Sequence, residues 1–456
     1  MATSQKPDKH GLLSDPIPDV LRRLTVPMVF GMVAILMFNL VDTFFISLLG
    51  TDALAAVSFT FPITFAINCI TMGISVGIST SIGRLLGKGT PKLAARLATH
   101  GLLLAVLVMI FASAIGLATI EPIFSLIGAE PDLLPIIHDY MSIWYIAIPL
   151  LVIPMAGNSA IRATGDTKTP AKIMMLAGAI NGVLDPLLIF GVGPFPELGV
   201  KGAAIASGIS WAFALINSLY ILIHREKMVA KPQPSLIFKD WVQILQIGTP
   251  AGLSNALNPL SGALLMTLLA AQGTASVAAY GAAMRIESIL VIVMMALGSI
   301  LMPFMAQNLG ANNPKRAFAA LFTAMRFAIV FQLLIFIMMV PLSWPLSSLF
   351  SQDEAVQTQL WHYLIVVPFS YGLQAVCMLL ISALNAMHRS LLSLFWNLFR
   401  LFGLLLPLAW LGSEIYGTEG LFIGIAVANM LSGLVAYLYA IRLRHNLLVT
   451  APPVAP

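Results

Sequence analysis

The chain has 456 residues, of which 59% are hydrophobic and 9% are charged, and its mean hydropathy is +0.93. A soluble globular protein carries about 25% charged residues, so the composition excludes a soluble domain and indicates an integral membrane protein. The net charge of +5 is small for this length, so we expect no nucleic-acid partner.

Twelve apolar runs are long enough to cross a bilayer as helices. Several of them are longer than a helix perpendicular to the membrane needs, so we expect tilted or bent helices. The sequence therefore predicts an all-α integral membrane protein with twelve transmembrane helices. The predicted spans are residues 20–49, 53–86, 92–119, 132–162, 170–192, 199–224, 240–271, 276–309, 314–342, 354–386, 390–412 and 418–443.

Charge divides the connecting loops into two sets. The loops after predicted helices 2, 4, 6, 8 and 10 carry Lys and Arg, whereas those after helices 1, 3, 9 and 11 carry Asp and Glu, and Lys201 is the one clear exception. Cytoplasmic loops of membrane proteins carry an excess of Lys and Arg. We therefore expect the basic loops and both termini to be cytoplasmic, with tails at residues 1–19 and 446–456.

The second half of the chain repeats the first half at an offset of 223 residues. Each half contains six predicted helices, so the two halves share one orientation. We therefore predict two six-helix bundles, an N-lobe at 20–224 and a C-lobe at 240–445, arranged as a V with a central cleft and joined by a cytoplasmic linker at 225–239. The residues that coincide include Pro27 with Pro250, Gly50-Thr51 with Gly273-Thr274, Pro91-Lys92 with Pro314-Lys315, Tyr140 with Tyr363, and Ala163 with Ala386.

Two bundles that move against each other suit a transporter that works by alternating access. No G-x-x-x-x-G-K-[ST] loop for nucleotide phosphates occurs in the sequence, and no soluble segment is long enough to bind ATP. The sequence therefore predicts a secondary active transporter and not an enzyme. We expect a monomer in the lipid bilayer, with no ATP, no metal and no cofactor.

Polar side chains interrupt three predicted helices of the first half. Asp42 lies in the apolar stretch FNLVDTFFISLLG, Asn181 and Asp185 share a face of helix 5, and Tyr140 reaches a similar depth on helix 4. Two neighbouring carboxylates in a low-dielectric bundle cannot both stay ionised. We therefore predict that the two aspartates bind a proton, with the Asn181 amide and the Tyr140 hydroxyl as hydrogen-bond partners. The alternative is a structural polar cluster that joins helices 1, 4 and 5.

Other polar or helix-breaking residues inside the predicted spans are candidates for further roles. Pro27 removes a backbone hydrogen bond from helix 1 and can bend that helix. Arg285 and Glu287 are two residues apart, so they point to different faces of helix 8 and cannot pair well with each other. Arg285 is a candidate for a gate, for a carboxylate partner or for a structural ion pair. The candidates for a substrate cavity are Asn39, Asn158, Asn255, Asn258, Gln374, Arg285 and Glu287.

Two motifs follow predicted helices 4 and 8, namely RATGDTKTP at 162–170 and QNLGANNPKRA at 307–317. With these motifs and its two six-helix halves, the chain resembles the multidrug and toxic compound extrusion (MATE) family over essentially its whole length. Asp42 with Asn181 and Asp185 is similar to the DinF branch of that family. The resemblance implies proton coupling at these residues and Tyr140, and a bend at Pro27. It also implies export of lipophilic, often cationic, drugs across the bacterial cytoplasmic (inner) membrane.

Three alternative interpretations stay open. Carboxylate and amide oxygens also bind Na⁺, so Asp42, Asn181 and Asp185 are candidate sodium ligands. The chain differs from the sodium site of the NorM branch, because it has Asn255 in helix 7 and no acid in the membrane part of helix 10. A lipid-linked or polysaccharide flippase of the same superfamily is expected to carry several intramembrane cations, of which Arg285 is the main one expected here. An intramembrane aspartyl protease would use Tyr-Asp and Gly-x-Gly-Asp sequences, which this chain lacks.

Overall fold

The computed structural model describes residues 10–449, which form helices and turns without a β-strand. Two π-helices, Ile221–Arg225 and Phe399–Leu405, and a 3-10 turn, Pro368–Ser370, extend or interrupt the α-helices. The predicted all-α class is confirmed. Residues 1–9 and 450–456 of the predicted tails lie outside the described residues. The α-helices are Ile17–Ser47 (α1), Thr51–Gly87 (α2), Pro91–Ala118 (α3), Ile120–Leu126 (α4), Leu134–Ala163 (α5), Lys168–Ile189 (α6), Val200–Tyr220 (α7), Pro234–Ala270 (α8), Thr274–Leu290 (α9), Ile292–Gly310 (α10), Pro314–Phe350 (α11), Glu354–Val366 (α12), Tyr371–Ala386 (α13), Ser390–Leu398 (α14) and Leu406–Val449 (α15).

Each of the twelve predicted spans coincides with helical structure. Eleven segments of the described chain are long and apolar enough to cross a membrane. The last, Ser390–Leu448, contains two predicted spans, because the backbone of α15 leaves the helical region at Tyr416 and at Gly417, where φ is 58°. The predicted span 276–309 is interrupted at Val291, which separates α9 from α10.

The chain divides into two compact units. The first unit contains Arg23–Gly252, and the second contains Gly11–Arg22 and the residues from Leu253 onward. The division falls inside α1 and α8 and not in the predicted linker 225–239. The reason is that the first half of α8 packs within the first unit, where Asp240 binds Arg96 of α3 at 3.0 Å.

The internal repeat is visible in the backbone of the two units. Gly50 and Gly273, at the predicted offset, precede α2 and α9 with φ of 112° and 118°. Thr90 and Asn313 precede α3 and α11 with ψ of 64° and 65°. The repeated sequence therefore specifies the same helix starts in each unit, since glycine adopts positive φ at low cost and proline is favoured in a first helical turn.

Helices α2 and α8 cross closely in the first unit. Each carries two glycines four residues apart, Gly73 with Gly77 and Gly248 with Gly252. A Cβ atom on Gly248 would lie 2.7 Å from the carbonyl oxygen of Gly73, so only glycine fits at this crossing. This arrangement is typical of small-residue motifs that let membrane helices approach each other.

The segment that precedes α1 is bound to the second unit by the motif after α10. The Asn308 Nδ2 and Arg316 Nε atoms each donate to the carbonyl oxygen of Leu12 at 3.2 Å. The Arg316 Nη2 atom donates to the carbonyl oxygen of Asp15 at 2.5 Å. Asn313 caps α11 by accepting from the backbone N–H of Arg316 at 3.2 Å. The motif at 307–317 therefore both starts α11 and holds the N-terminal segment.

Candidate functional site

The predicted acidic cluster lies in the first unit, on α1, α5, α6 and α7. Asn181 and Asp185 are fully buried on α6, and the Asn181 Nδ2 atom donates to the Asp185 Oδ1 atom at 3.2 Å. The same Nδ2 atom donates to the Ser207 Oγ atom of α7 at 3.4 Å. The spacing of four residues places the two α6 side chains on one face, and Ser207 connects this pair to the neighbouring helix.

Asp42 completes the acidic pair from α1. Its side chain is close enough to Asp185 for an electrostatic interaction, and its Oδ1 atom is buried without a hydrogen-bond partner among the described residues. Phe44 and Leu40, on either side of Asp42, are 58% and 57% exposed. Asp42 is therefore a carboxylate with exposed apolar neighbours inside a membrane-spanning helix, where an ionised group is costly.

Tyr140 lies beside both carboxylates but is not bonded to them. The side chain is 7% exposed on α5 and is within electrostatic range of Asp42 and Asp185. Among the described residues it makes no side-chain hydrogen bond to either carboxylate, so the predicted hydrogen-bond role of Tyr140 is corrected. A tyrosine near the pair still supplies a hydroxyl that can donate or accept when the pair changes charge.

Three buried oxygens of the cluster have no hydrogen-bond partner within residues 10–449. They are the Asp42 Oδ1, Asn181 Oδ1 and Asp185 Oδ2 atoms. Buried oxygens without donors are costly and rare in native proteins. A proton shared between two of these oxygens, or a small cation that contacts several of them, would reduce this cost, so the arrangement suits a positive charge. Within residues 10–449 no group of three or more His, Cys, Asp and Glu side chains is arranged to hold a metal ion.

The other predicted residues of the first unit have different surroundings. Pro27 lies inside α1, which runs without interruption from Ile17 to Ser47, so its bending role stays a prediction. Asn39 is exposed one turn before Asp42. Asn158 is 2% exposed, and its Oδ1 atom accepts from Ser218 Oγ at 3.2 Å. Asn158 therefore joins α5 to α7. It is buried and does not line an open cavity, contrary to the prediction.

The predicted residues of the second unit do not form a single group. Arg285 is exposed and forms no ion pair with the described residues. Glu287 accepts a hydrogen bond from Tyr363 Oη at 2.6 Å, and Tyr371 Oη lies 3.4 Å from that hydroxyl. Arg285 and Glu287 are therefore separate, as their spacing predicts, and Glu287 belongs to a buried tyrosine cluster. Gln374 and Asn255 are half-buried and Asn258 is exposed.

Sequence reasoning missed several polar residues that the structure places in contact with predicted ones. Ser218 and Tyr363 are two of them, and Ser207 and Arg400 are two more. Ser207 reaches Asn181, as described above. Arg400 is 7% exposed in the π-helix Phe399–Leu405, and its Nη2 atom donates to the Asn258 Oδ1 atom at 3.1 Å. Arg400 lies in the middle of the predicted span 390–412, and that position alone was a sufficient signal. Arg285 is therefore not the main intramembrane cation.

A family model described as MatE matches residues 27–187 and 250–411 of the chain, once in each half. Three known proteins are similar over nearly the whole length. A protein of Shewanella oneidensis named "FAD transporter" is 48% identical over 96% of this chain and 97% of its own length. The multidrug export protein MepA of Staphylococcus aureus is 24% identical over 95% of this chain and 96% of its own. The crystal structure of the Vibrio cholerae MATE transporter VcmN in the bent form superimposes with a TM-score of 0.91, at 31% identity, over 94% of this chain and 97% of that chain.

Proposed function

The chain belongs to the MatE family of membrane transporters, and on that premise we propose that it carries a flavin dinucleotide out of the cytoplasm in exchange for protons. Members of the family move small molecules through the membrane and are not enzymes. The substrate class is supported by one observation: identity to the Shewanella oneidensis FAD transporter is about twice that to the drug exporter MepA. Both relatives align over nearly the whole chain, so the difference is not an effect of coverage.

Export of lipophilic or cationic drugs is the second candidate. It agrees with the family resemblance and is supported by several relatives of 23–27% identity named as multidrug resistance or export proteins. The two candidates predict different substrate charges, because FAD carries an anionic diphosphate whereas the drugs of the second candidate are neutral or cationic. Assignment to the DinF branch stays a prediction.

The proposed coupling site is the pair Asp42 and Asp185 with the Asn181 amide. Ionised carboxylates repel each other in a low-dielectric site, and a proton on one of them removes both the repulsion and part of the desolvation cost. Asn181 holds Asp185 through its Nδ2 atom, which leaves the second oxygen of Asp185 available to a proton. Na⁺ is the alternative ion, since carboxylate and amide oxygens also bind hard cations.

A transport measurement in proteoliposomes tests the identity of the substrate and of the coupling ion together. Vesicles that contain the purified protein receive an inside-acidic pH gradient without sodium, and FAD uptake is followed by its fluorescence. We expect uptake in the parent and in Asp139→Asn, whose carboxylate lies outside the cluster and pairs with Lys201. We expect no gradient-driven uptake in Asp42→Asn and Asp185→Asn.

The other outcomes assign the function differently. Uptake that requires a sodium gradient identifies Na⁺ as the coupling ion. Uptake of a lipophilic cation but not of FAD favours drug export. If neither the pH gradient nor the sodium gradient drives uptake of either substrate, the flippase hypothesis is favoured.

Vesicles without nucleotide test the proposed independence of ATP. The basic loops support cytoplasmic termini in a bacterial inner membrane, and light scattering in detergent tests the proposed monomer.

A further inference from the structure

Arg400 is a buried cation without a counter-charge in the second unit. It is 7% exposed and lies in a π-helix, a rare local structure that often occurs at functional sites. Within the described residues it forms no ion pair with a carboxylate and makes one side-chain hydrogen bond, to Asn258. An unpaired guanidinium at membrane depth is costly and is usually functional.

The guanidinium of Arg400 has unused donors. It carries five N–H groups, of which one is bonded to the exposed Asn258 Oδ1 atom at 3.1 Å. The Nε atom is buried and has no hydrogen-bond partner in the part of the chain that the structure describes. The contact with Asn258 brings the charged end of a buried side chain to an exposed amide, where a ligand has access.

A second contact fixes the two helices that carry this pair. Asn397, three residues before Arg400, donates from Nδ2 to the carbonyl oxygen of Ser254 at 2.7 Å. Ser254 and Asn258 lie one turn apart on α8, so two hydrogen bonds join the α14 segment to α8 along one face of each helix. Asn397 joins the α14 segment to α8 through a hydrogen bond from an uncharged side chain. Packing of these two helices therefore does not require the charge of Arg400.

The first unit has no counterpart of this pair. At the repeat offset of 223 residues, Arg400 coincides with Ala177 and Asn258 with Ile35. The acidic cluster is likewise confined to one unit, because Asp42 coincides with Leu265 and Asp185 with Leu408. The repeated scaffold therefore folds with apolar residues at these positions, and the charge of Arg400 serves another purpose.

We propose that Arg400, oriented by Asn258, binds a phosphate group of the transported molecule. A guanidinium matches phosphate geometry with parallel N–H donors, and such pairs are among the strongest hydrogen bonds in proteins. The identity of the molecule that bears the phosphate rests on the proposed function. Under that function the phosphate belongs to the diphosphate of the flavin dinucleotide. A phospholipid headgroup presents the same chemistry.

Equilibrium binding to the purified full-length protein in phospholipid-free detergent tests the proposal. The ligands are FAD, which carries a diphosphate, and riboflavin, which carries no phosphate. We expect Arg400→Gln to weaken FAD binding by about 10-fold or more, the effect of losing a charged hydrogen bond, and to leave riboflavin binding unchanged. Arg400→Lys keeps the charge but loses the planar fork, so we expect an intermediate loss. Arg326→Gln, an exposed arginine of α11, is the matched control and retains parental binding.

Asn258→Asp is an independent test at an exposed position. Its new carboxylate would pair with Arg400 in place of the ligand phosphate, so we expect weaker FAD binding and unchanged riboflavin binding. The proposal is overturned if FAD binding is unchanged in Arg400→Gln and Asn258→Asp, or if FAD and riboflavin weaken equally.

Two further binding measurements distinguish failure of this inference from failure of the proposed function. If the parent binds neither flavin, the proposed function fails, and binding of inorganic pyrophosphate then tests the inference. Pyrophosphate binding by the parent that is lost in Arg400→Gln supports the phosphate site. If the parent does not bind pyrophosphate, or if Arg400→Gln binds it equally well, the phosphate site is rejected. Titration with short-chain phosphatidylglycerol identifies the source of the phosphate. If Arg400→Gln loses lipid binding but keeps the parental FAD affinity, the site binds a lipid headgroup and the proposed contact with the transported molecule is overturned.

Discussion

The Nδ1 atom of His100 lies 2.7 Å from the Oδ2 atom of Asp240, and neither side chain reaches solvent to any extent. The Nε2 atom of the same imidazole accepts from the backbone N–H of Gln233 at 3.1 Å. Because Nε2 accepts, the proton of a neutral ring is on Nδ1, which donates to Asp240. Trp241 donates from Nε1 to the carbonyl oxygen of His100 at 2.8 Å. These bonds attach the connection between α7 and α8 to α3.

Asp240→Asn is expected to destabilise the protein by about 3–5 kcal/mol, because it leaves the buried His100 and the Arg96 guanidinium without their shared carboxylate. Thermal unfolding in detergent measures the loss. Asp52→Asn, at an exposed aspartate of α2, is the control and should unfold like the parent. Equal stability of both variants and the parent would show that these bonds contribute little to folding.

Gly248→Ala tests the crossing of α2 and α8. The new Cβ atom would lie 2.7 Å from the Gly73 carbonyl oxygen, and such overpacking costs about 1–3 kcal/mol. Gly262→Ala on the same helix meets no atom within 4 Å, so helix propensity should make it neutral or stabilising by up to about 1 kcal/mol. Opposite signs of the two changes in unfolding temperature support the close crossing, and equal signs contradict it.

Asn181→Asp distinguishes a functional acidic cluster from a structural one. A third carboxylate beside Asp185 makes proton binding more favourable, so we expect half-maximal transport at higher pH than in the parent, with similar expression. The pH profile of substrate uptake is the measurement. If Asn181→Asp and Asp42→Asn both fail to give folded protein, the structural alternative is correct.

The loop motif at 162–170 is expected to make stability depend on pH. Burial acts to raise the pKa of the Asp166 carboxyl, but hydrogen bonds from Thr169 and the adjacent Arg225 outweigh burial and hold this pKa below its usual value. The ionised form is thus favoured in the folded state, so its stabilising effect is present above the pKa of the unfolded chain, about 4, and is lost as pH falls through the lower folded value.

Thermal unfolding of the parent and Asp166→Asn at several pH values checks this dependence. The Thr169 Oγ1 atom donates to Asp166 at 2.5 Å and accepts from Arg225 at 2.8 Å, so the variant should be less stable at neutral pH. The difference should shrink as pH falls below about 4, where the carboxyl of the unfolded chain is protonated, and should be smallest below the lower pKa of the folded state, where the parent carboxyl is neutral as well. A difference that is constant with pH would exclude the carboxylate charge as its cause.

Much of the fold could be predicted because the relevant signals are local. Each span is a continuous apolar run, and the repeat places Gly50 and Gly273 at equivalent helix starts with equivalent φ values. The pair Asn181 and Asp185 could be predicted from a spacing of four residues on one helix. The break in α15 could only be located approximately, because Tyr416 and Gly417 lie in a short polar stretch between two apolar runs.

The contacts of the site were harder to predict. Tyr140 was expected to bond to the carboxylates from its depth alone, but hydrogen bonding also requires the correct rotation of α5. Ser207 is one of several small residues on α7, and nothing in its sequence context indicates that it faces Asn181. Arg400 could have been identified from its mid-span position, although its partner could not.

The sequence by itself determined the membrane class, the helical spans, the duplicated halves and the acidic residues that lie among apolar neighbours. These features follow from hydropathy and helical periodicity, which are properties of consecutive residues. Only the tertiary structure decided that Arg400 meets Asn258 and that His100 meets Asp240, pairs separated by 142 and 140 residues. Such pairs depend on which faces of distant helices pack together, and packing is fixed by the shapes of many side chains at once.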